Sequence, residues 1–180
     1  EEGLKRQPSQ VRDFLLQISI LDRLTGPLCE AVTGNTGSQD MLEHLDRANL
    51  FLVSLDDSRQ WYRYHHLFAD VLRAHLLDER PDEVAELHRR ASGWFEAHDD
   101  IAQAIGHAQA GGDLARTAEL MERAMPQMRR ERREADVARW MRELPDDVLR
   151  TRPVLDVAFV GALAQAAQFD RDLAAHGHAV

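Results

Sequence analysis

One change of hydrophobic period constrains this chain more than anything else in it. From Ser9 to Asn49 apolar residues recur at three- and four-residue steps, at Leu50 they begin to alternate, and after Tyr64 the helical spacing returns. Leu50-Phe51-Leu52-Val53-Ser54-Leu55 and Trp61-Tyr62-Arg63-Tyr64 read as strands, and Asp56-Asp57-Ser58-Arg59 between them is turn chemistry. The switch therefore encodes a single β-hairpin. A lone hairpin is marginal in water, so helices must cover one of its faces.

Three helices precede it. Ser9 reads as the cap of the first, with Val11, Phe14, Leu15, Ile18 and Leu21 on one face. Thr25-Gly26-Pro27 opens the second and Gly34 ends it; Ser38 caps the third, which carries Met41, Leu42 and Leu45 and ends at Asn49. A fourth helix follows the hairpin, with Leu67, Val71 and Ala74 in an apolar stripe beside Phe68, Leu72 and Leu76, and His66, Asp70 and Arg73 opposite. Three helices and then a hairpin is the order of a winged-helix domain, and Arg80-Pro81 ends it, giving 1–79 as that domain.

Residues 80–180 read as a helical, TPR-like region. Val84, Leu87, Ala91, Trp94 and Phe95 share one face; Ile101, Ala104, Ile105 and Ala108 the next, ended by Gly111-Gly112; Asp113 caps a third with Leu114, Ala118 and Met121. Small residues punctuate large ones, as in stacked antiparallel hairpins, although no clean repeat overlays at the ~34-residue spacing of such arrays. The mixed charges from Arg129 to Glu134 read as a solvated helix face or linker. Val137, Trp140, Met141 and Leu144 resume an apolar face, Pro145 restarts the chain, Pro153 opens an Ala-rich helix to about Gln168, and Asp170 to Val180 is expected to fray. The expected fold class is mainly α: a winged helix with a short β-hairpin, then TPR-like antiparallel helical hairpins.

Several functions are disfavoured. A net charge of -9 opposes binding to nucleic-acid phosphates, and the third helix, the usual DNA reader, carries Asp40, Glu43 and Asp46 against Arg47. The only lysine is Lys5, so no phosphate-cradling Walker motif exists. No HExxH or GxSxG spacing occurs, and the adjacent His65 and His66 project differently and lack further ligands for a metal. Cys29, on an apolar helix, reads as an inert buried thiol with no partner for a disulfide, which suits a cytoplasmic protein. Trp61, Trp94 and Trp140 occupy apolar positions and are expected in the core. Glu1 to Arg6 lacks the apolar run of a signal peptide, and Val157 to Ala164 is too short to span a bilayer. With no initiating Met, the chain is expected to be a segment of a larger protein.

A set of stretches carries a family likeness: Phe14-Leu15-Leu16 to Leu24, Leu28-Cys29-Glu30-Ala31-Val32-Thr33-Gly34, Asn49-Leu50-Phe51-Leu52, and Trp61-Tyr62-Arg63-Tyr64-His65 with Leu67-Phe68-Ala69-Asp70-Val71-Leu72-Arg73. Leu87-His88-Arg89-Arg90-Ala91-Ser92, Ala104-Ile105-Gly106-His107-Ala108 and Trp140 to Pro153 extend it. Together they resemble the large MalT-type, LuxR-family transcriptional regulators of the STAND class of signal-transduction ATPases. The resemblance implies a parent with an N-terminal P-loop ATPase domain, this winged helix, a helical inducer sensor and a C-terminal DNA-binding helix-turn-helix. It further implies that the winged helix folds onto the nucleotide site, within the same chain, and holds the ADP-bound resting state.

Related immune-receptor ATPases carry a Met-His-Asp motif at the start of the matching helix, its His near the ADP β-phosphate. Tyr64-His65-His66-Leu67 looks like that motif, with His65 at the histidine position and His66 in place of Asp. The resemblance thus implies a non-catalytic regulatory segment with no cofactor of its own, ADP or ATP bound in the parent, an inducer or protein effector on the helical region, and no direct contact with DNA or membrane. Two other readings stand beside it: a free-standing TPR-like adaptor for protein partners, and a DNA-binding winged-helix protein.

Overall fold

The computed structural model describes residues 8–48, 51–131, 133–155, 157, 160 and 161. The chain forms two compact units, Glu1–Asp100 and Ile101–Val180. In the first, α1 (Ser9–Gln17) runs into a 3₁₀ turn at Ile18–Ile20, and α2 (Gly26–Thr33), α3 (Ser38–Arg47), β1 (Leu52–Ser54), β2 (Tyr62–Tyr64), α4 (His66–Glu79) and α5 (Pro81–Ala97) follow. Three helices and a hairpin closed by a fourth helix make a winged helix, mainly α as the period change predicts.

Local chemistry sets the ends of these helices. Thr25 is extended at the start of α2 with Pro27 in its first turn, and Gly34 ends it at φ 75°, a left-handed backbone that glycine adopts without strain. Gly26 is needed for a different reason: a Cβ there would lie 2.8 Å from Cβ of Gln39, so its absence lets α2 and α3 approach. On α1 the apolar face continues through the tighter 3₁₀ turn, which buries Ile18 and Ile20 before the backbone extends at Leu21.

The hairpin pairs Leu52 with Tyr64, Val53 with Arg63 and Ser54 with Tyr62. Leu24 adds a third position on the other side of β2, exchanging both backbone hydrogen bonds with Tyr62 at 2.8 Å. Sequence periodicity gives no sign of this bridge, because one residue is too short to alternate. Tyr62 and Tyr64 point inward among Leu15, Leu28, Leu42, Leu45 and Leu72, all fully buried. The Tyr64 hydroxyl donates to the Leu15 carbonyl at 3.0 Å.

Two expectations need correction. On α4 the buried positions are Ala69, Leu72 and Leu76, while Val71 is 37% exposed and Ala74 is exposed, so the stripe is turned by about one residue from the predicted one. The Arg73 guanidinium causes part of this: it reaches across to the Ser19 carbonyl (2.8 Å) and Asp22 (2.7 Å), which puts its face of α4 against the 3₁₀ turn. Of the tryptophans only Trp140 is buried; Trp61 is 37% exposed and Trp94 is half-buried, its indole stacked on His98 at 3.8 Å.

The break at Arg80-Pro81 is the turn between α4 and α5, and contacts carry the first unit past it to Asp100. α5 buries Leu87, Ala91, Ser92 and Phe95 and packs on α2. Arg90 donates to the Val32 carbonyl at the C-terminal end of α2 (3.1 Å) while Glu86 holds it from below (2.8 Å), a cation at the negative pole of a helix. α1 is tied to the α4–α5 corner by Arg12–Glu79 (2.5 Å), Arg80–Asp13 and Gln17–Glu83 (3.5 Å). These partly exposed pairs contribute about 0–1 kcal/mol each, so they fix orientation more than stability.

The second unit contains α6 (Ile101–Ala110), α7 (Leu114–Arg130), α8 (Glu134–Arg142) and α9 (Asp146–Arg150). Gly112 turns the chain at φ 72° and the Asp113 carboxylate accepts the Arg116 amide at 2.9 Å, starting α7 as its sequence predicts. α6 and α7 pack on each other along Ala104, Ile105 and Ala108 against Ala118 and Met121, and α7 continues onto α8, which buries Val137, Trp140 and Met141. Arg129, Arg130 and Glu131 are exposed at the end of α7, as a solvated charge run should be. Most of the predicted helix from Pro153 to Gln168 and the tail from Asp170 lie outside the described residues.

The two tyrosines of β2 supply a paired test. Tyr64→Phe removes the buried hydrogen bond to the Leu15 carbonyl, at a cost of about 1–2 kcal/mol in urea denaturation. The Tyr62 hydroxyl lies beside Gln39 yet meets no partner in hydrogen-bonding geometry, so Tyr62→Phe is expected to leave stability unchanged or raise it. A reversed order of the two variants would contradict this assignment of the core.

Candidate functional site

His65 stands at the corner where β2 becomes α4. Its backbone (φ -57°, ψ 126°) caps the helix: the His65 carbonyl accepts the Phe68 amide at 2.8 Å and the Ala69 amide at 3.3 Å. Its own amide donates to the Phe51 carbonyl at 2.9 Å. The corner is therefore held by main chain on both sides. The imidazole takes no part in this; it is exposed and has no hydrogen bond or ion pair among the described residues. A purely structural corner histidine would spend its ring nitrogens on the backbone, and this one does not.

Phe51, just before β1, supports the corner. It adopts φ 68°, which costs a bulky residue of order 1–3 kcal/mol, and its ring stacks on Phe68 at 3.8 Å with planes 9° apart. Tyr64 also meets Phe68, tilted by 52° with ring centroids 6.3 Å apart. An aromatic cluster thus offsets the strain and fixes where α4 begins, with His65 on top of it. The backbone amides of a helix's first turn lack intrahelical acceptors and favour an anion, so the chemistry available at this corner is anion binding.

β2 exposes more than His65. Because strand residues alternate, burial of Tyr62 and Tyr64 turns Trp61, Arg63 and His65 outward together, and all three are exposed. His65 is marked in the sequence by its motif, Trp61 faces outward against the expectation of a core position, and the signal for Arg63 is its place between two tyrosines in an alternating run.

The tip of the hairpin is organised by Asp56. Its carboxylate accepts the amides of Gln60 (2.9 Å) and Trp61 (3.1 Å) and the Ser58 hydroxyl (2.7 Å), and these bonds, Ser58 first, hold its pKa below the usual 3.8. Cys29 is buried, and burial pushes its thiol up to about 12, which leaves no thiolate for nucleophilic chemistry. Among the described residues no three His, Cys, Asp or Glu could together hold a metal, and no helix is long and apolar enough to cross a membrane.

Comparison with known proteins agrees with the architecture. Residues 1–84 match the MalT winged helix domain, and this part of the chain belongs to that family. The chain is 35% identical over 162 residues to the serine/threonine-protein kinase PknK of Mycobacterium tuberculosis, covering 90% of this chain and 15% of the kinase. It is 36% identical over 121 residues to the HTH-type transcriptional regulators MalT of Klebsiella pneumoniae and Yersinia pestis, covering 67% of this chain and 13% of each regulator. The chain thus spans a small fraction of the length of these relatives.

The carboxylate at the hairpin tip predicts a pH response of definite sign. A carboxylate with a depressed pKa contributes order that is complete above its unfolded value near 3.8 and is lost as pH falls through the folded value. The protection of the Gln60 and Trp61 amides, taken relative to the intrinsic exchange rate at each pH, should fall at acid pH, and Asp56→Ala should lower it at neutral pH as well. Unaltered exchange in that variant would show that Asp56 does not hold the turn.

Proposed function

We propose that this MalT-type winged helix is a non-catalytic regulatory segment that couples the nucleotide state of a P-loop ATPase domain in the parent protein to the helices that follow it. The observation that carries the reading is His65: an exposed imidazole with no partner among the described residues, set at a helix N-terminus on a corner that costs backbone strain to build. In the resting state of a STAND-class parent, His65 faces the β-phosphate of ADP, and the winged helix holds the ATPase domain closed in the cytoplasm. An inducer or protein effector acting on the helical, TPR-like region pulls the winged helix away.

The packing of α5 on α2 supports the mechanical half of this reading. A displacement of the downstream helices at α5 would be transmitted to the winged helix through Leu87, Ala91 and the Arg90–Val32 bond rather than absorbed in a linker. Direct DNA reading by this segment fits poorly, because the cations near α3 are already committed, Arg47 to Glu43 (2.6 Å) and Arg59 to Asp46 (3.7 Å). Since similarity extends both to a protein named a kinase and to proteins named transcriptional regulators, we place the output, as LuxR-type DNA binding or otherwise, in domains beyond this segment.

The test is His65→Ala in the full-length parent. Loss of one charge-assisted hydrogen bond, about 1.5 kcal/mol, should raise the ADP release rate roughly tenfold and increase basal activity without inducer. Unchanged ADP release together with unchanged basal activity would refute the role of His65.

A further inference from the structure

A surface helix ordinarily carries polar residues opposite its buried stripe, and α4 departs from that pattern. It turns Ala69, Leu72 and Leu76 into the core, packing on α1, the 3₁₀ turn and α5, and on its other side it exposes Val71 (37%), Ala74 and Leu77 (59%). These three recur at three-residue steps, so they form one outward apolar ridge about 9 Å long. Ala74 leaves the ridge low in the middle, a notch of the kind that takes a side chain from a second helix. A carboxylate stands at each end, Asp70 just before Val71 and Asp78 just after Leu77, and both are exposed. The cations of the helix are committed elsewhere. Arg73 lies 3.6 Å from Asp70 but is bound to Asp22 (2.7 Å) and the Ser19 carbonyl (2.8 Å), and His75 pairs with Glu79 (3.3 Å).

We infer that the outward side of α4 docks an amphipathic helix that brings leucine-like residues to the ridge and Lys or Arg side chains to Asp70 and Asp78. The two carboxylates lie about 12 Å apart along the helix axis, so the matching cations stand about two turns apart on the partner. Charge decides between this occupant and a second copy of the chain. Two α4 helices crossing antiparallel at Ala74 set Asp70 of each against Asp78 of the other, and a parallel pair sets like residue on like, so either arrangement opposes carboxylates. A basic helix removes that repulsion and covers the same ridge. Such docking requires no nucleotide and no role for His65.

The experiment is an NMR titration of the chain with a synthetic peptide of about four helical turns, its leucines at three- and four-residue steps and lysines between them. A leucine–glutamate peptide of the same pattern and a strictly alternating leucine–lysine peptide serve as comparisons. The amide signals of residues 70–78 should shift with the first peptide, and Val71→Ser and Leu77→Ser should each weaken binding roughly fivefold, while Leu55→Ser, at an exposed apolar position on the hairpin, leaves it unchanged. Asp70→Lys combined with Asp78→Lys should transfer binding to the leucine–glutamate peptide. Absence of binding overturns the inference, as does equal binding of the alternating peptide or a spread of shifts over other acidic surfaces, which would be charge attraction alone. Binding insensitive to Leu77→Ser overturns it too. So does a concentration-dependent dimer of the chain that Leu77→Ser abolishes, which would make the ridge a surface for self-association.

Discussion

The first unit depends on how β2 is held. Its first residue, Tyr62, is paired on both sides, to Leu24 across one edge and to Ser54 of β1 across the other, and its two tyrosines are buried to 0% and 4% exposure. A strand fixed in register has no freedom over which side chains face out, since a slip of one residue would bury Arg63 and expose both tyrosines. The outward row of Trp61, Arg63 and His65 is thus a consequence of core packing. The Phe51–Phe68 stack then stops the strand and starts α4 at one place, which fixes His65 against the first turn of the helix.

A second consequence concerns transmission. The match to the winged helix domain ends at residue 84, yet the compact unit runs to Asp100, and within it α5 packs on α2. Arg90 ties α5 to the end of α2, and the Glu86 carboxylate that positions it is held down to about 2 by Arg89 and Arg90, so the pairing persists across all ordinary pH. The winged helix and the first helix after it therefore form one piece. For a regulator driven from downstream helices, this means the flexible joint is not at Arg80-Pro81, despite the break in the sequence there.

Much of this was legible in the residues. The period change located the hairpin, and Gly34, Gly112 and Asp113 marked helix ends where their backbone or cap chemistry requires them. What escaped detection depended on contacts between distant residues. The Leu24 bridge has no periodic signature, and Val71 and Ala74 were placed inside because a helical pattern does not say which of two adjacent stripes faces the core when Arg73 has a carbonyl to reach. Trp61 shows the limit of residue type as a guide: its hydrophobicity favoured the core, and the strand phase set by Tyr62 and Tyr64 turned it outward. His65 was found through likeness to a motif; its exposure and lack of partners are structural facts no motif contains.

In the proposed function, β2 and the start of α4 face bound nucleotide in the parent protein. Hydrogen exchange of the full-length parent with and without ADP measures this most directly. ADP is expected to slow exchange across residues 61–69 and to leave α3 and its acidic face unaffected. Equal exchange at 61–69 in the two states, with ADP demonstrably bound, would contradict it.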